Sequence, residues 1–181
     1  MKAKHVSLVL ITVAAIGISG CKSAPKHEAL AAAPQGAQKT GDVTVQIQPK
    51  SGSKVTGALI LSDTDKGLHI VGDLTGLSKG KHGIHVHEKG DCSAADASSA
   101  GSHFGMAGQT HGAPGKHESH TGDLGNIKAG KNGEAKIDET FPGLTLAAVS
   151  GRSIVVHAKK DDYKTQPAGA SGDKVGCGEI K

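Results

Sequence analysis

Short segments in which apolar and polar residues alternate run through most of the chain. Residues 43–48 are the clearest case, and the alternation returns at residues 55–61, 67–74, 84–87, 135–138 and 152–157. A period of two is that of a strand with one buried face. Turn-forming pairs such as Ser51-Gly52 and Asn132-Gly133 lie between these segments. With 27 glycines and no helical period, the sequence predicts an all-β sandwich or barrel.

The first twenty residues have the pattern of an export signal. A basic start at Lys2 and Lys4 precedes the apolar run 6–18, which is shorter than the roughly 20 residues that span a bilayer. Ser19 and Gly20 stand directly before Cys21, which resembles the bacterial lipobox. We therefore expect a lipoprotein signal peptide over residues 1–20 and a lipid on Cys21. The alternative is an ordinary signal peptide followed by a chance cysteine.

Residues 21–41 are interpreted as a lipidated flexible tether. They contain Ala, Pro and Gln without apolar periodicity, and His27 is expected to bind nothing there. Residues 42–181 suffice for one domain with one core. The expected location is the bacterial cell envelope, where the lipid holds the domain to a membrane facing the periplasm or the cell surface.

The charge balance excludes one class of partner. The chain has 21 Lys and Arg against 17 Asp and Glu, and two of the lysines leave with the predicted signal. A domain so close to neutrality gives no support for nucleic-acid binding, which favours a strong basic excess.

The three cysteines also bear on location. If Cys21 carries lipid, Cys92 and Cys177 are left, and in an oxidising compartment these two can form a disulfide. Two buried free thiols are the alternative.

Metal-binding side chains are concentrated within 39 residues: His85, His87, His103, His111, His120 and Asp123. In a strand, side chains two positions apart share a face, so His85 and His87 would point together while Ile84 and Val86 enter the core. Neutral imidazole suits copper and zinc, and three histidines with one aspartate form a set that zinc accepts. The alternative is a solvated histidine-rich loop, since residues 90–125 are rich in Gly and Ser.

Six motifs make the chain similar to the bacterial copper/zinc superoxide dismutases of the lipoprotein type. They are Gly83-Ile84-His85-Val86-His87, Ser99-Ala100-Gly101-Ser102-His103-Phe104, His111-Gly112, His120-Thr121-Gly122-Asp123-Leu124-Gly125-Asn126, Val155-Val156-His157 and Cys177-Gly178. The resemblance runs from about residue 43 to the C-terminus. It implies an eight-stranded Greek-key β-barrel with long metal-binding loops.

The resemblance also implies roles for individual residues. Copper would be bound by His85, His87, His103 and His157. Zinc would be bound by His103, His111, His120 and Asp123, so that His103 serves both metals and acts as a catalytic residue. Asp161 would hydrogen-bond one ligand of each metal. Lys174, the second catalytic residue, stands where the family usually carries an Arg that attracts the anionic substrate. We assign no metal to His69, His82 or His117.

The implied reaction converts superoxide to oxygen and hydrogen peroxide by copper redox cycling, with zinc in a structural and tuning role. The implied partners are superoxide and, through Cys21, a membrane; the protein would be a monomer or a homodimer. One alternative is a non-catalytic copper- and zinc-binding lipoprotein on the same scaffold, and another is a structural or adhesive lipoprotein.

Three positions depart from the family pattern: Lys174 in place of Arg, Gly105-Met106 in place of Asn-Pro, and Glu179 in place of an apolar residue. We expect these changes to affect rate and rigidity more than metal binding.

Overall fold

Eight antiparallel strands form the framework of residues 41–181, the part of the chain that the computed structural model describes. The strands are β1 Val43–Pro49, β2 Thr56–Thr64, β3 Gly67–Thr75, β4 Gly80–His87, β5 Asp123–Ala129, β6 Ala135–Phe141, β7 Ser153–His157 and β8 Lys174–Glu179. The predicted signal peptide, Cys21, His27 and nearly all of the predicted tether lie outside the described residues.

The strands close into a barrel in the order β1-β2-β3-β6-β5-β4-β7-β8. Strand β1 pairs with β2 on one side and with β8 on the other, which completes the ring. The neighbours β3–β6 and β4–β7 are not consecutive in sequence, so the chain crosses the barrel in the Greek-key manner. Within residues 41–181, no helix is long and apolar enough to cross a membrane. The predicted all-β fold is confirmed.

The barrel interior is aliphatic. Its alternating strand residues are fully or almost fully buried, among them Val45, Ile47, Leu59, Leu61, Leu68, Ile70, Ile84, Val86, Ile154 and Val156. Burying each such side chain contributes roughly 1.5–3 kcal/mol relative to leaving it in water. Phe104 and Phe141 are only partly buried at the margin of this core. Because the core is formed by the inward-facing side chains, the outward-facing side chains of the strands are free to serve other roles, such as binding a ligand.

Two strands lack the alternating pattern, and sequence periodicity did not predict them. In β5, six of the seven residues are buried or half-buried, because both faces of the strand are covered except at Lys128 near its end. Strand β8 has the sequence KVGCGE and is likewise buried in its middle. A strand covered on both faces has no reason to alternate, so its period carries no signal.

The connection between β4 and β5, residues 88–122, is tied to the barrel by a disulfide. Cys92 and Cys177 are bonded, with their Cα atoms 5.8 Å apart, so the predicted pairing is confirmed and the alternative of two free thiols is wrong. Cys177 lies on β8 and packs with Val155 and Ala100. Both peptide groups of Cys92 are also held, because its N–H donates to Glu179 Oε1 at 3.3 Å and its carbonyl accepts from the Lys50 ammonium. The acidic residue at position 179 therefore fixes the disulfide loop.

Replacing Cys92 with Ser should lower the free energy of unfolding by about 2–5 kcal/mol, because the crosslink joins residues 85 positions apart and so restricts the unfolded chain strongly. Thermal unfolding of wild type and variant under oxidising conditions measures the effect. Adding a reductant should destabilise wild type and leave Cys92→Ser unchanged. Equal melting of the two proteins before reduction would contradict this role for the disulfide.

Candidate metal centre

Strands β4 and β7 bring two histidines of β4 next to a third histidine that is far away in sequence, on the outside of the barrel. Ile84 and Val86 face the core, so His85 and His87 project from the opposite face of β4. Ile84 pairs with Val156 on β7, which places His157 beside His85 with 4.8 Å between the ring centroids. The predicted return of the last third of the chain to β4 is thereby confirmed.

The loop after β4 folds back on the strand and adds a fourth histidine. Phe104 N–H donates to Val86 O at 2.8 Å, and Val86 N–H donates to Gly122 O at 2.8 Å, so the middle and the last residue of the loop are hydrogen-bonded to β4. These bonds bring the His103 ring over that of His85, with centroids 3.9 Å apart. His103 therefore stands at the junction between strand and loop.

Asp123, the first residue of β5, gathers the remaining side chains. Its Oδ1 lies 2.8 Å from His103 Nδ1 and 3.1 Å from His111 Nδ1, and its Oδ2 lies 3.5 Å from His120 Nδ1. Gly112 N–H donates to Oδ2 at 2.9 Å. Burial acts to raise the pKa of Asp123, but the hydrogen bonds from His103 and Gly112 outweigh it and lower the pKa overall. The carboxylate therefore stays ionised and available as a ligand.

Two groups of potential ligand atoms result, each with all its atoms within 4.8 Å of one another. The four-histidine group contains His85, His87, His103 and His157. The aspartate group contains His85, His103, His111 and Asp123. All members are buried, and two of them, His85 and His103, belong to both groups. His120, a predicted zinc ligand, belongs to neither group, although its Nδ1 lies 3.5 Å from Asp123 Oδ2.

Each ring of the four-histidine group has one nitrogen held by the protein and the other without a hydrogen-bond partner among the described residues. His87 Nδ1 donates to Gly101 O at 2.9 Å, and His157 Nδ1 lies 3.2 Å from Gly172 O. The unpartnered nitrogens are His85 Nδ1, His87 Nε2, His103 Nε2 and His157 Nε2. Burying such an atom unpaired costs about 1–3 kcal/mol, so four of them in one place indicate a ligand that they share. This arrangement fits a metal ion.

Burial also keeps three of these rings, those of His85, His87 and His157, neutral. It lowers the pKa of His87 to about 2 and that of His157 to about 4, with the neighbouring His103 contributing in the same direction. Burial, together with His103 and His157, holds the pKa of His85 well below its usual value. Neutral imidazole is the form that binds metals, so no proton has to leave these rings at neutral pH.

Asp161 connects the two groups. Its Oδ2 accepts from His85 Nε2 at 2.9 Å and its Oδ1 accepts from His111 Nε2 at 2.7 Å, and the carboxylate is fully buried. Asn126 on β5 holds the backbone of Asp161 on both sides: Asp161 N–H donates to Asn126 Oδ1 at 2.8 Å, and Asn126 Nδ2 donates to Asp161 O at 3.0 Å. In the sequence, Asn126 is only the last residue of the motif that contains His120 and Asp123, and nothing there indicates this role.

The three histidines to which no metal was assigned lie outside both groups. His82 is buried, with Nδ1 2.9 Å from His157 O and Nε2 2.8 Å from Ser78 O, so it supports the strand end that carries His157. His69 is a partly exposed strand residue 2.8 Å from Asp138 Oδ1. His117 is exposed in the loop after His111. The support that His82 gives to His157 was not visible in the sequence.

A cavity of about 510 Å³ gives access to the four-histidine group. Its lining includes His87, His103, His157 and Lys174. The Lys174 ammonium donates to Gly101 O at 2.9 Å and to Ala97 O at 3.2 Å, and burial lowers its pKa. Gly101 O thus accepts from both Lys174 and His87, which fixes a positive charge beside the group. The barrel and these two groups define a class of protein with two adjoining sets of side chains that could each hold a metal ion.

Comparison with known proteins gives the family. Residues 55–180 match the family of copper/zinc superoxide dismutases. The chain is 41% identical over 138 residues to a superoxide dismutase [Cu-Zn] of Caulobacter vibrioides, covering 71% of this chain and 79% of that protein. It is 39% identical over 138 residues to superoxide dismutase [Cu-Zn] 3 of Arabidopsis thaliana, covering 71% and 84%. The chain belongs to the copper/zinc superoxide dismutase family, and as an oxidoreductase of that family it uses copper and zinc and acts on superoxide.

Replacing Gly169 with Ala should weaken metal retention by about ten- to a hundredfold, the usual cost of disturbing the residues behind metal ligands. An added Cβ would overlap Asp161 Oδ1 and lie 2.5 Å from His111 Nε2, in the middle of the link between the two groups. Metal release to a competing chelator, followed by absorbance, measures the effect.

Gly151→Ala is the matched control for this variant. Both glycines have a left-handed backbone, with φ of +66° and +73°, but a Cβ at Gly151, which lies away from the two groups, would meet nothing within 4 Å. Backbone strain is therefore common to the two variants, and the collision with Asp161 is not. Equal release rates from both would show that strain alone, and not the Asp161 link, governs retention.

Proposed function

We propose that this chain dismutates superoxide with copper held by His85, His87, His103 and His157, and with zinc held by His103, His111, His120 and Asp123. The observation that carries the copper assignment is the set of four unpartnered nitrogens described above. Four nitrogen ligands with access from one cavity suit a copper ion that has to meet a small substrate.

The zinc assignment requires a choice between His85 and His120. His85 lies within the aspartate group, but its Nε2 is bonded to Asp161 and its Nδ1 faces the other histidines, so this ring has no nitrogen left for a second metal. His120 Nδ1 is buried without a hydrogen-bond partner and lies 3.5 Å from Asp123 Oδ2. A small inward movement of His120 completes a set of three histidines and one aspartate, the closed set of a structural zinc.

Copper supplies a one-electron redox couple when bound, and zinc supplies a fixed positive charge. One superoxide loses an electron and leaves as oxygen, and a second gains that electron and two protons to become hydrogen peroxide. His103 is suited to deliver one of these protons. Its Nδ1 is oriented by Asp123. Its Nε2 has no hydrogen-bond partner among the described residues, and the ring lines the cavity, so this nitrogen can hold a proton and release it.

Lys174 is proposed to attract the substrate. Superoxide is an anion, and a cation in the wall of the cavity raises its local concentration. The two carbonyls that bind the ammonium hold it in place, although lysine cannot present the bidentate fork of the Arg that is usual at this position.

We further propose that the protein is a lipoprotein of the bacterial cell envelope, anchored through lipid on Cys21. The small residues before Cys21 support this proposal, as does the disulfide, which engages the other two cysteines. Mass spectrometry of the membrane fraction tests it. An unmodified Cys21 at the mature N-terminus would reject the anchor without affecting the enzymatic proposal.

His103→Ala should lower superoxide consumption by more than tenfold while total copper falls much less, because three of the four proposed copper ligands remain. Metal content and superoxide consumption, measured on the same purified sample, check this result. His117→Ala removes an exposed histidine from the same loop and should change neither quantity. A His103→Ala protein with normal activity per bound copper would contradict the proposed role of this ring. Wild-type protein that binds both metals without consuming superoxide would instead support the non-catalytic alternative.

Lys174→Glu should lower the second-order rate strongly and reverse its dependence on salt. With Lys174 the rate should fall as ionic strength rises, because salt screens the attraction; with Glu it should rise, because salt screens a repulsion. Lys174→Arg should keep the wild-type behaviour. Stopped-flow rates at several salt concentrations measure all three, with Lys66→Glu in the exposed β2–β3 turn as the matched charge change. Equal effects of Lys174→Glu and Lys66→Glu would show that only net charge matters.

A further inference from the structure

Three lysines form a row across the outside of the barrel. Lys81 on β4 is the direct cross-strand partner of Lys128 on β5. Within residues 41–181, β5 and β6 pair at Ala129 and Ala135, and Lys128 and Lys136 are the residues next to that pair on the two strands. All three lysines are exposed, while the residues beside them on each strand are buried or, in the case of Gly80, half-buried, so the side chains point outward. We name Lys81, Lys128 and Lys136 the lysine row.

The charges of this row are poorly compensated. Lys81 and Lys128 face each other on neighbouring strands, which lie about 4.8 Å apart, and like charges directly opposite each other destabilise a sheet. Within residues 41–181, neither Lys81 nor Lys128 has an ion pair. Lys136 lies 3.5 Å from Asp73, with its own side chain 84% exposed, and a pair so exposed neutralises little.

The surroundings extend the positive charge to one end of the barrel. Lys79 directly precedes β4, and Lys131 lies in the turn between β5 and β6. The acidic residues nearby are Asp73, Glu134 and Asp138, fewer than the lysines, and Asp138 Oδ1 lies 2.8 Å from His69 Nε2. The hairpin at the opposite end of β2 and β3 carries Asp63, Asp65 and Lys66, so the two ends of the barrel differ in net charge. The excess of exposed lysines at the first end presents a surface for an anionic partner.

We infer that the lysine row docks on an anionic phospholipid surface. The identity of this partner rests on the proposed anchor, since a lipid on Cys21 would hold the domain close to a membrane. Twenty residues separate Cys21 from Asp42, enough to extend about 70 Å, whereas a nine-residue strand is about 30 Å long. Either end of the barrel can therefore reach the membrane, and the lysine row selects one side.

The docking relies on the attraction of charges and not on the insertion of apolar side chains into the membrane. The exposed large apolar side chains of the described residues are Met106 and Tyr163. Both line a second cavity, which includes His120, and neither lies in the lysine row. Each lysine near an anionic surface contributes about a fivefold increase in binding, so three lysines contribute about a hundredfold. An acyl chain combined with a basic patch is a recognised way to hold a protein on a membrane in one orientation.

Sedimentation with vesicles tests the inference on the full mature chain with Cys21→Ser, which removes any lipid and so measures the lysines alone. Vesicles of phosphatidylglycerol and phosphatidylcholine should bind this protein, and vesicles of phosphatidylcholine should not. The triple variant Lys81→Gln, Lys128→Gln, Lys136→Gln should bind about a hundredfold more weakly, whereas the same three changes to Arg should retain binding. Lys66→Gln, Lys116→Gln, Lys164→Gln is the matched control, with the same charge change at exposed lysines elsewhere.

Loss of binding by the first triple variant and not by the control, with binding that falls as salt rises, supports the inference. Equal losses from the two triple variants, binding that is independent of salt, or no binding to the anionic vesicles would overturn it. Binding to a soluble polyanion such as heparin without binding to vesicles would overturn it as well, because the partner would then be a polymer. Mass spectrometry of Cys21 in the wild-type membrane fraction is read separately, so failure of the anchor and failure of the lysine row are distinguishable.

Discussion

The structure of the metal centre depends on the way each buried histidine ring has one nitrogen held by the protein. A neutral imidazole has one donor and one acceptor nitrogen, and which is which follows from the partner of the N–H group. In His87 and His157 the partner is a backbone carbonyl, and in His85 it is the carboxylate of Asp161. The remaining nitrogens are turned toward one another as acceptors. The centre is thereby oriented before any metal arrives.

Those partners come from loops, so the loops have to be held as firmly as the strands. Gly101 O is placed by the loop that the disulfide ties to β8, while Gly172 O and Asp161 belong to the connection between β7 and β8. Asn126 fixes that second connection to β5. The barrel supplies His85, His87 and His157 directly, and the two loops supply the hydrogen bonds that orient them. A change that loosens either loop therefore also disturbs the orientation of the histidine rings in the metal centre.

Sequence could predict the parts of this design that leave a local pattern. Strands with one buried face alternate, so six of the eight were visible, and the two closely spaced histidines of β4 marked a shared face. Strands β5 and β8 left no pattern because both of their faces are covered. Ligand assignments required the family resemblance, since nothing local connects His157 with His85. The supports given by Asn126 and His82 were not predictable, because a single amide or imidazole signals nothing until the fold shows which backbone groups it faces.

The departures from the family pattern have physical reasons that differ from one position to the next. Gly105 lies so close to His120 that an added Cβ would stand 2.8 Å from the ring, so the small residue makes room for a proposed zinc ligand and need not loosen the loop. Glu179 binds the peptide N–H of Cys92 and so contributes to the disulfide loop. Lys174 keeps the positive charge and shares Gly101 O with His87, which couples the substrate-facing cation to the orientation of a proposed copper ligand. A change at position 174 therefore alters two things at once, the charge in the cavity wall and the hydrogen bonding of Gly101 O, and only a variant that conserves charge separates them.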